Sequence, residues 1–154
     1  KKRGVISVLN CIYGGTTSSK LFENVRERLS LCYYCASRVD RFKNIMFVYS
    51  GIEADSKQKA QDEILLQLED IKNGKFEDEK IDIAKAAIKN SYKALGDSIG
   101  AMEEYYLSQI ISKDIVSLED AYSLVQNVTR DEIVQMAKNI QLDCIYFLTS
   151  REAK

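Results

Sequence analysis

Gly14-Gly15-Thr16-Thr17-Ser18-Ser19-Lys20-Leu21-Phe22-Glu23-Asn24-Val25-Arg26-Glu27-Arg28-Leu29-Ser30-Leu31-Cys32-Tyr33-Tyr34 reads as a glycine stop, a short amphipathic helix and the start of a strand. The two glycines end a preceding helix, because either takes φ > 0 at little steric cost. Ser18 or Ser19 caps the next helix through a side-chain oxygen. Leu21, Val25 and Leu29 recur at i, i+4 and i+8 with Phe22 beside them, so one side of that helix faces a core. Arg26 follows Val25, about 100° further round the helix, and leaves the stripe. Tyr33 comes seven residues after Arg26, inside the next element. A helix-to-strand corner that joins these two supplies two donors able to point at one carbonyl oxygen.

Upstream of this stretch, Val5, Val8, Leu9 and Ile12 make a helical stripe, flanked by Ile6 and Tyr13. Downstream, residues 31–38 are rich in aromatic and small side chains and read as a strand. Ile45-Met46-Phe47-Val48-Tyr49-Ser50 is the clearest strand, closed by Gly51. The polar connection 40–44 is too short for a parallel crossover, so the two strands form a hairpin. Asp55 reads as an N-cap for a helix with Ala60, Ile64, Leu65, Leu68 and Ile71 on one face, stopped at Gly74.

Another helical pattern opens at 76–78 and carries Ile81, Ala84, Ile88 and Leu95. Gly96-Asp97-Ser98 interrupts it, and it resumes through Ile99, Met102, Tyr106 and Ile110 as one kinked helix or two in series. Ser117-Leu118-Glu119-Asp120 and Thr129-Arg130-Asp131-Glu132 resemble capping boxes that open short helices. Residues 142–149 are predicted to form the last strand. Strands at both ends of a helical middle predict an α+β fold in a single domain, 1–154. This is a two-layer sandwich, an antiparallel sheet with helices packed on one face.

The chain has 154 residues, 45% hydrophobic and 29% charged, a globular balance with enough length for a core. Its net charge of −1 supplies no basic field for nucleic acid. No apolar run reaches the about 20 residues that span a bilayer, and no signal-peptide core is present. Histidine is absent, which removes Ser-His-Asp and Cys-His nucleophile schemes and the H-x-x-E-H zinc site. Cys32 and Cys35 form a C-x-x-C. On a regular strand residues three apart face opposite sides, so these two, with Cys11 and Cys144, read as small hydrophobes carrying free thiols. Free thiols fit a reducing, cytoplasmic setting. Glu77-Asp78-Glu79 and Glu103-Glu104 read as solvated helix faces rather than acid/base pairs. Gly14-Gly15 lacks the G-x-G-x-x-G spacing of a dinucleotide site.

Gly14-Gly15, then Ser18-Ser19-Lys20-Leu21-Phe22, Asn24-Val25-Arg26-Glu27 and Leu31-Cys32-Tyr33-Tyr34 together resemble the second, zinc-free domain of the insulinase/pitrilysin-type metallopeptidases, processing-peptidase relatives included. The later strands and helices agree with it in order. The resemblance implies the non-catalytic half of a zinc-dependent peptidase. It would complete a substrate chamber opposite a zinc-bearing domain located upstream or on a partner chain. No metal is expected in this chain, and zinc is expected in that partner domain. The resemblance also implies that Arg26 and Tyr33 bind the peptide substrate by its backbone near the scissile bond, while Tyr34 packs on the other strand face. On residue types alone, Arg26 pairing with a surface carboxylate and Tyr33 packing is the plainer reading. Family domains usually begin with a strand ahead of the first helix. Its lack before Val5 implies a fragment of a longer chain with an open sheet edge, where neighbouring copies pair into a homo-oligomer. Peptide substrate would bind as an added strand on a sheet edge. The intact protein is then a zinc metalloendopeptidase. The alternative is a catalytically silent structural or interaction subunit of a peptidase-like complex.

Overall fold

Val5, Val8 and Leu9 share one side of α1 (Lys2–Asn10), and that side is sealed from solvent, with Val8 and Leu9 at 0% exposure. The computed structural model describes residues 2–112 and 115–150. The helix continues as a π-helical turn, Cys11–Gly15, which buries Ile12 and Tyr13. The Tyr13 hydroxyl satisfies itself by donating to the Ile64 carbonyl at 2.9 Å.

Gly14 and Gly15 end the helix for a different reason from the one expected. Neither takes a positive φ; among the glycines only Gly74 does. What Gly14 supplies is closeness. A Cβ there would lie 2.7 Å from the Ser37 backbone nitrogen and 2.8 Å from Leu21 Cδ1.

The second helix is wound as a π-helix over Phe22–Arg28, with Leu29 N bonding to Asn24 O, one residue further back than in an α-helix. Ser19, not Ser18, caps its entry, accepting from Phe22 N at 3.3 Å. Leu21 and Val25 are fully buried, but the expected stripe stops there, because Leu29 at the helix end is 41% exposed.

The hairpin forms as read, from β1 (Cys32–Asp40) and β2 (Ile45–Ile52), paired antiparallel. Asp40 Oδ1 accepts from the Phe42 and Lys43 amides, and Asn44 takes φ 52°, a left-handed position that asparagine tolerates. The pairs Cys35↔Ser50, Ser37↔Val48 and Val39↔Met46 share the inner face, where Met46 and Val48 pack against the core. Tyr34↔Gly51, Ala36↔Tyr49, Arg38↔Phe47 and Asp40↔Ile45 share the outer face.

Five further α-helices follow among the described residues. Asp55 is not the expected N-cap. It lies inside a 3-10 turn, Ala54–Ser56, that leads into α2 (Lys57–Lys72). Gly74 ends α2 at φ 71°, with Lys75 N returning to Asp70 O at 2.8 Å. α3 (Asp78–Gly96) and α4 (Ile99–Ser112) are two separate helices, broken at Asp97 and Ser98. Ser117 caps α5 (Leu118–Gln126) by accepting from Asp120 N, and Thr129 with Glu132 forms a reciprocal capping box on α6 (Arg130–Lys138). α1 packs against α3, α5 and α6 and against β1, which makes it the central helix of an α+β fold.

The expected last strand, 142–149, pairs with nothing among the described residues. Leu142, Tyr146 and Leu148 stand 57%, 82% and 79% exposed. A strand exists only by pairing. Here an apolar groove of about 1610 Å³ is lined by β2, by Ile64 and Leu65 of α2 and by the 139–148 segment.

One side chain ties the helical layer together. Arg130 Nη1 donates to Gly74 O at 2.8 Å, Nη2 to Phe76 O at 2.7 Å, and Nε and Nη2 both reach Asp78 Oδ1. Its guanidinium also lies 4.5 Å from the Phe76 ring centroid. Arg130→Ala strands two backbone carbonyls at the α2–α3 junction and is expected to cost about 2–3 kcal/mol, a fall of about 5–10 °C in Tm. Asp78→Ala, at the exposed end of the same pair, should cost under about 1 kcal/mol. Equal melting temperatures for the two variants would refute the clamp.

Candidate functional site

The corner between the π-helix and β1 is built from most of the motif residues. Ser19 and Leu21 are fully buried, and Lys20 is nearly so. Lys20 Nζ donates to the Lys75 carbonyl at 3.2 Å and sits 3.9 Å from Asp70. Burial lowers the Lys20 pKa; Asp70 partly opposes that shift. Asn24 Nδ2 donates to Gln67 Oε1 at 3.0 Å, Gln67 Nε2 to Glu63 Oε1 at 2.7 Å, and Arg28 Nη2 to the same oxygen at 2.9 Å. Lys80 holds Glu23 at 2.7 Å and the Ser18 carbonyl at 2.9 Å. The π-helix is thus fastened to α2 and α3 by polar side chains, as well as by Leu21 and Val25 below it.

Arg26 and Tyr33 are among the members of the stretch that this fastening leaves out. The Arg26 guanidinium lies 4.5 Å from the Phe22 ring centroid, and its Nε is 3.7 Å from Glu27, too far for a hydrogen bond. A guanidinium stacked by its face keeps its in-plane N–H groups free to donate. Tyr33 does not pack; it is 87% exposed, and its hydroxyl has no partner among the described residues. Leu31 N returns to Val25 O at 3.0 Å, and β1 packs against the π-helix, so both residues stand at one corner. Ser30 makes that corner with φ 49°, a left-handed conformation uncommon for a residue with a Cβ. The π winding has no signature in residue spacing, whereas Phe22 and Arg26 stand at i, i+4, the spacing at which helix side chains meet.

A β-bulge sits between Cys32 and Tyr34. The extra residue is Tyr33, which the bulge turns outward. This overturns the expectation that Cys32 and Cys35 face opposite sides. Cys32 pairs with Ile52 and packs against the core cluster that holds Cys35. Tyr34 does pack on the outer face, its ring lying over Gly51 and 6.1 Å from that of Tyr49. All four cysteines are free. Burial, and secondarily the neighbouring Cys32, push the Cys35 thiol up to about 12; burial pushes Cys11 up to about 11. Exposed Cys144 should therefore be labelled by a thiol reagent well before the buried Cys35 in the folded protein. Mass spectrometry of briefly alkylated protein checks this, and early Cys35 labelling would contradict it.

Among the described residues no three His, Cys, Asp or Glu side chains converge as metal ligands, and no helix is long and apolar enough to cross a membrane. With no histidine in the chain, these side chains do not fit a catalytic zinc.

The model of the Peptidase M16 inactive domain matches residues 1–88, the whole of this corner included. A Bacillus subtilis protein named "Probable inactive metalloprotease" is 37% identical over 147 residues, 96% of this chain and 34% of that protein. A Rickettsia bellii protein named "Uncharacterized zinc protease" is 25% identical over 140 residues, 86% of this chain and 33% of that protein. The crystal structure of a conserved protein from Enterococcus faecalis superposes with a TM-score of 0.80 at 35% identity, covering 88% of this chain and 32% of that one. The chain thus spans about a third of the length of the curated relatives it matches. Signature, fold and corner agree, and the chain belongs to the Peptidase M16 inactive domain family.

Proposed function

We propose that this domain is one wall of the substrate chamber of a zinc metalloendopeptidase, and that Arg26 and Tyr33 hold the peptide backbone beside the scissile bond. The zinc belongs to another domain, in a longer chain or on a partner chain; the Rickettsia relative's name supports such a domain. The observation that carries the reading is the division of labour in 18–34. Ser19, Lys20, Leu21, Asn24 and Val25 are buried or bonded, whereas Arg26 and Tyr33 face solvent with donors unused. Donors fixed on a fastened corner lose little freedom on meeting a ligand. A guanidinium N–H and a phenol O–H both donate to a carbonyl oxygen. Those bonds strengthen as the oxygen gains negative charge, so they favour the transition state over the bound peptide.

The strand that the resemblance places ahead of α1 would enter the groove beside β2, which Lys2 and Gly4 help to line. It would pair with β2 on one side and with 142–149 on the other, closing the open edge. The four free thiols support a reducing, cytoplasmic setting.

A second reading follows from the Bacillus relative's name: a silent structural subunit with the same corner but no cleavage. Cleavage of an unstructured fluorogenic peptide by the intact chain, together with its zinc content, tests the two. Bound zinc and turnover support the chamber. No zinc and no turnover, alone or with a zinc-bearing partner chain, leave the structural reading.

A further inference from the structure

We propose that the outer face of the β1–β2 hairpin is a side-chain subsite that selects peptides with bulky apolar residues beside carboxylates; it rests on the chamber reading above. Core packing explains the inner face of the hairpin. The outer face is as apolar but uncovered: Tyr34, Ile45, Phe47 and Tyr49 are 49%, 41%, 48% and 49% exposed. The Tyr34 and Tyr49 rings neighbour each other, centroids 6.1 Å apart and tilted by 51°, and with Phe47 and Ile45 on the same face they make a contiguous apolar patch rather than scattered exposure. The Tyr34 ring covers Gly51, so this end of the face is closed by a ring instead of a gap.

The spacing suits an extended chain. Phe47 and Tyr49 are two residues apart on one face of β2, which is the repeat at which an extended peptide presents its own alternate side chains. From Tyr34 to Arg38 the face runs about 13 Å, the length of four extended residues. It begins at the residue after Tyr33, so a backbone held at the Arg26–Tyr33 corner continues directly onto it.

Charge specifies the occupant further. Arg38 stands exposed opposite Phe47 with no acidic partner among the described residues. Asp40, the acid on the same face, turns its Oδ1 to the Phe42 and Lys43 amides of the turn, where Arg41 and Lys43 are further exposed cations. An apolar floor with an unpaired guanidinium in its middle favours a segment in which carboxylates alternate with large apolar side chains, and disfavours one carrying lysines.

The test uses the intact chain and three fluorescent, unstructured peptides: Phe/Leu interleaved with Glu, the same with Lys for Glu, and the same with Ser for Phe/Leu. Anisotropy is read before turnover. The Glu peptide is expected to bind about tenfold or more tightly than either other. Phe47→Ser with Tyr49→Ser should remove most of its advantage over the Ser peptide. Arg38→Glu should invert the preference between the Glu and Lys peptides. Circular dichroism confirms the variants' fold, and the three-peptide comparison on the unaltered protein stands without them. Equal binding of the Glu and Ser peptides, or folded variants that keep every preference, overturns the subsite. If Arg26→Ala stops cleavage while these preferences are absent, the subsite falls and the chamber reading stands. If the preferences hold but nothing is ever cut, the chamber reading falls and the surface remains a peptide-binding one.

Discussion

On the proposed chamber reading, Arg26→Ala in the intact protein with its zinc-bearing domain is expected to lower kcat about 10²-fold or more with little change in KM, and to leave Tm within about 1–2 °C of the unaltered protein. The small effect on stability follows from what Arg26 touches. It makes a stack on Phe22 and a 3.7 Å approach to Glu27, both at the surface, and nothing in the core depends on it. Surface changes of this kind fall within about 0.5 kcal/mol. The large effect on rate follows from where the donor would act. A bond to a neutral carbonyl in the bound peptide is weak against competing water, so its loss barely alters KM. The same bond to a developing oxyanion, in a chamber closed to water, is worth several times more, so its loss appears in kcat. Tyr33→Phe deletes one neutral donor and should fall in the same direction by a smaller factor. Arg26→Lys keeps the charge but gives up the planar fork and its seat on Phe22, so it should recover only part of the rate. An active enzyme whose kcat is indifferent to Arg26→Ala would remove the corner from the substrate site. A parallel loss of Tm and kcat would assign Arg26 to the fold instead.

The first helix, the hairpin, the break at Asp97 and Ser98 and the caps at Ser117 and Thr129 were legible in the sequence, because each is set within a few residues of itself. Periodicity and capping are local, and local chemistry is written locally. What escaped was set at a distance. The Arg130 clamp joins residues 52 to 56 apart in sequence, and nothing near Arg130 announces its acceptors. The 142–149 segment has a strand's composition, yet composition supplies no partner. The bulge at Tyr33 changes which way two cysteines face without altering a single residue type. At the corner, Arg26 could be singled out because it falls off the Leu21–Val25 stripe, and Tyr33 because the family pattern marks it. The π winding and the left-handed Ser30, which set how the two stand, are backbone choices that many sequences of this pattern could have made otherwise.

Gly14→Ala carries the second large effect: a loss of about 2–3 kcal/mol in stability, read as a fall in Tm or denaturant midpoint. A double glycine before a helix suggests freedom of φ, and on that reading alanine would cost about 1 kcal/mol through strain at a left-handed residue. Gly14 does not take a positive φ, and the cost comes from space. The new methyl carbon would sit 2.7 Å from Ser37 N and Ser37 Oγ and 2.8 Å from Leu21 Cδ1. Leu21 is fully buried and cannot swing away. Ser37 is in mid-strand, and its hydroxyl is already bonded to Asn10 Oδ1 at 2.9 Å. Something rigid must therefore move, and the candidates are the π-turn and β1. Displacing β1 shifts the strand that carries Tyr33, so the longer protein should also lose turnover in proportion to the displacement. Gly96→Ala is the control. It adds the same methyl group at the end of α3, where nothing lies within 4 Å, and should raise stability by about 0.4–1 kcal/mol through reduced chain entropy. Opposite signs at Gly14 and Gly96 would show that close approach governs the first. The same sign at both would return Gly14 to a role in backbone conformation.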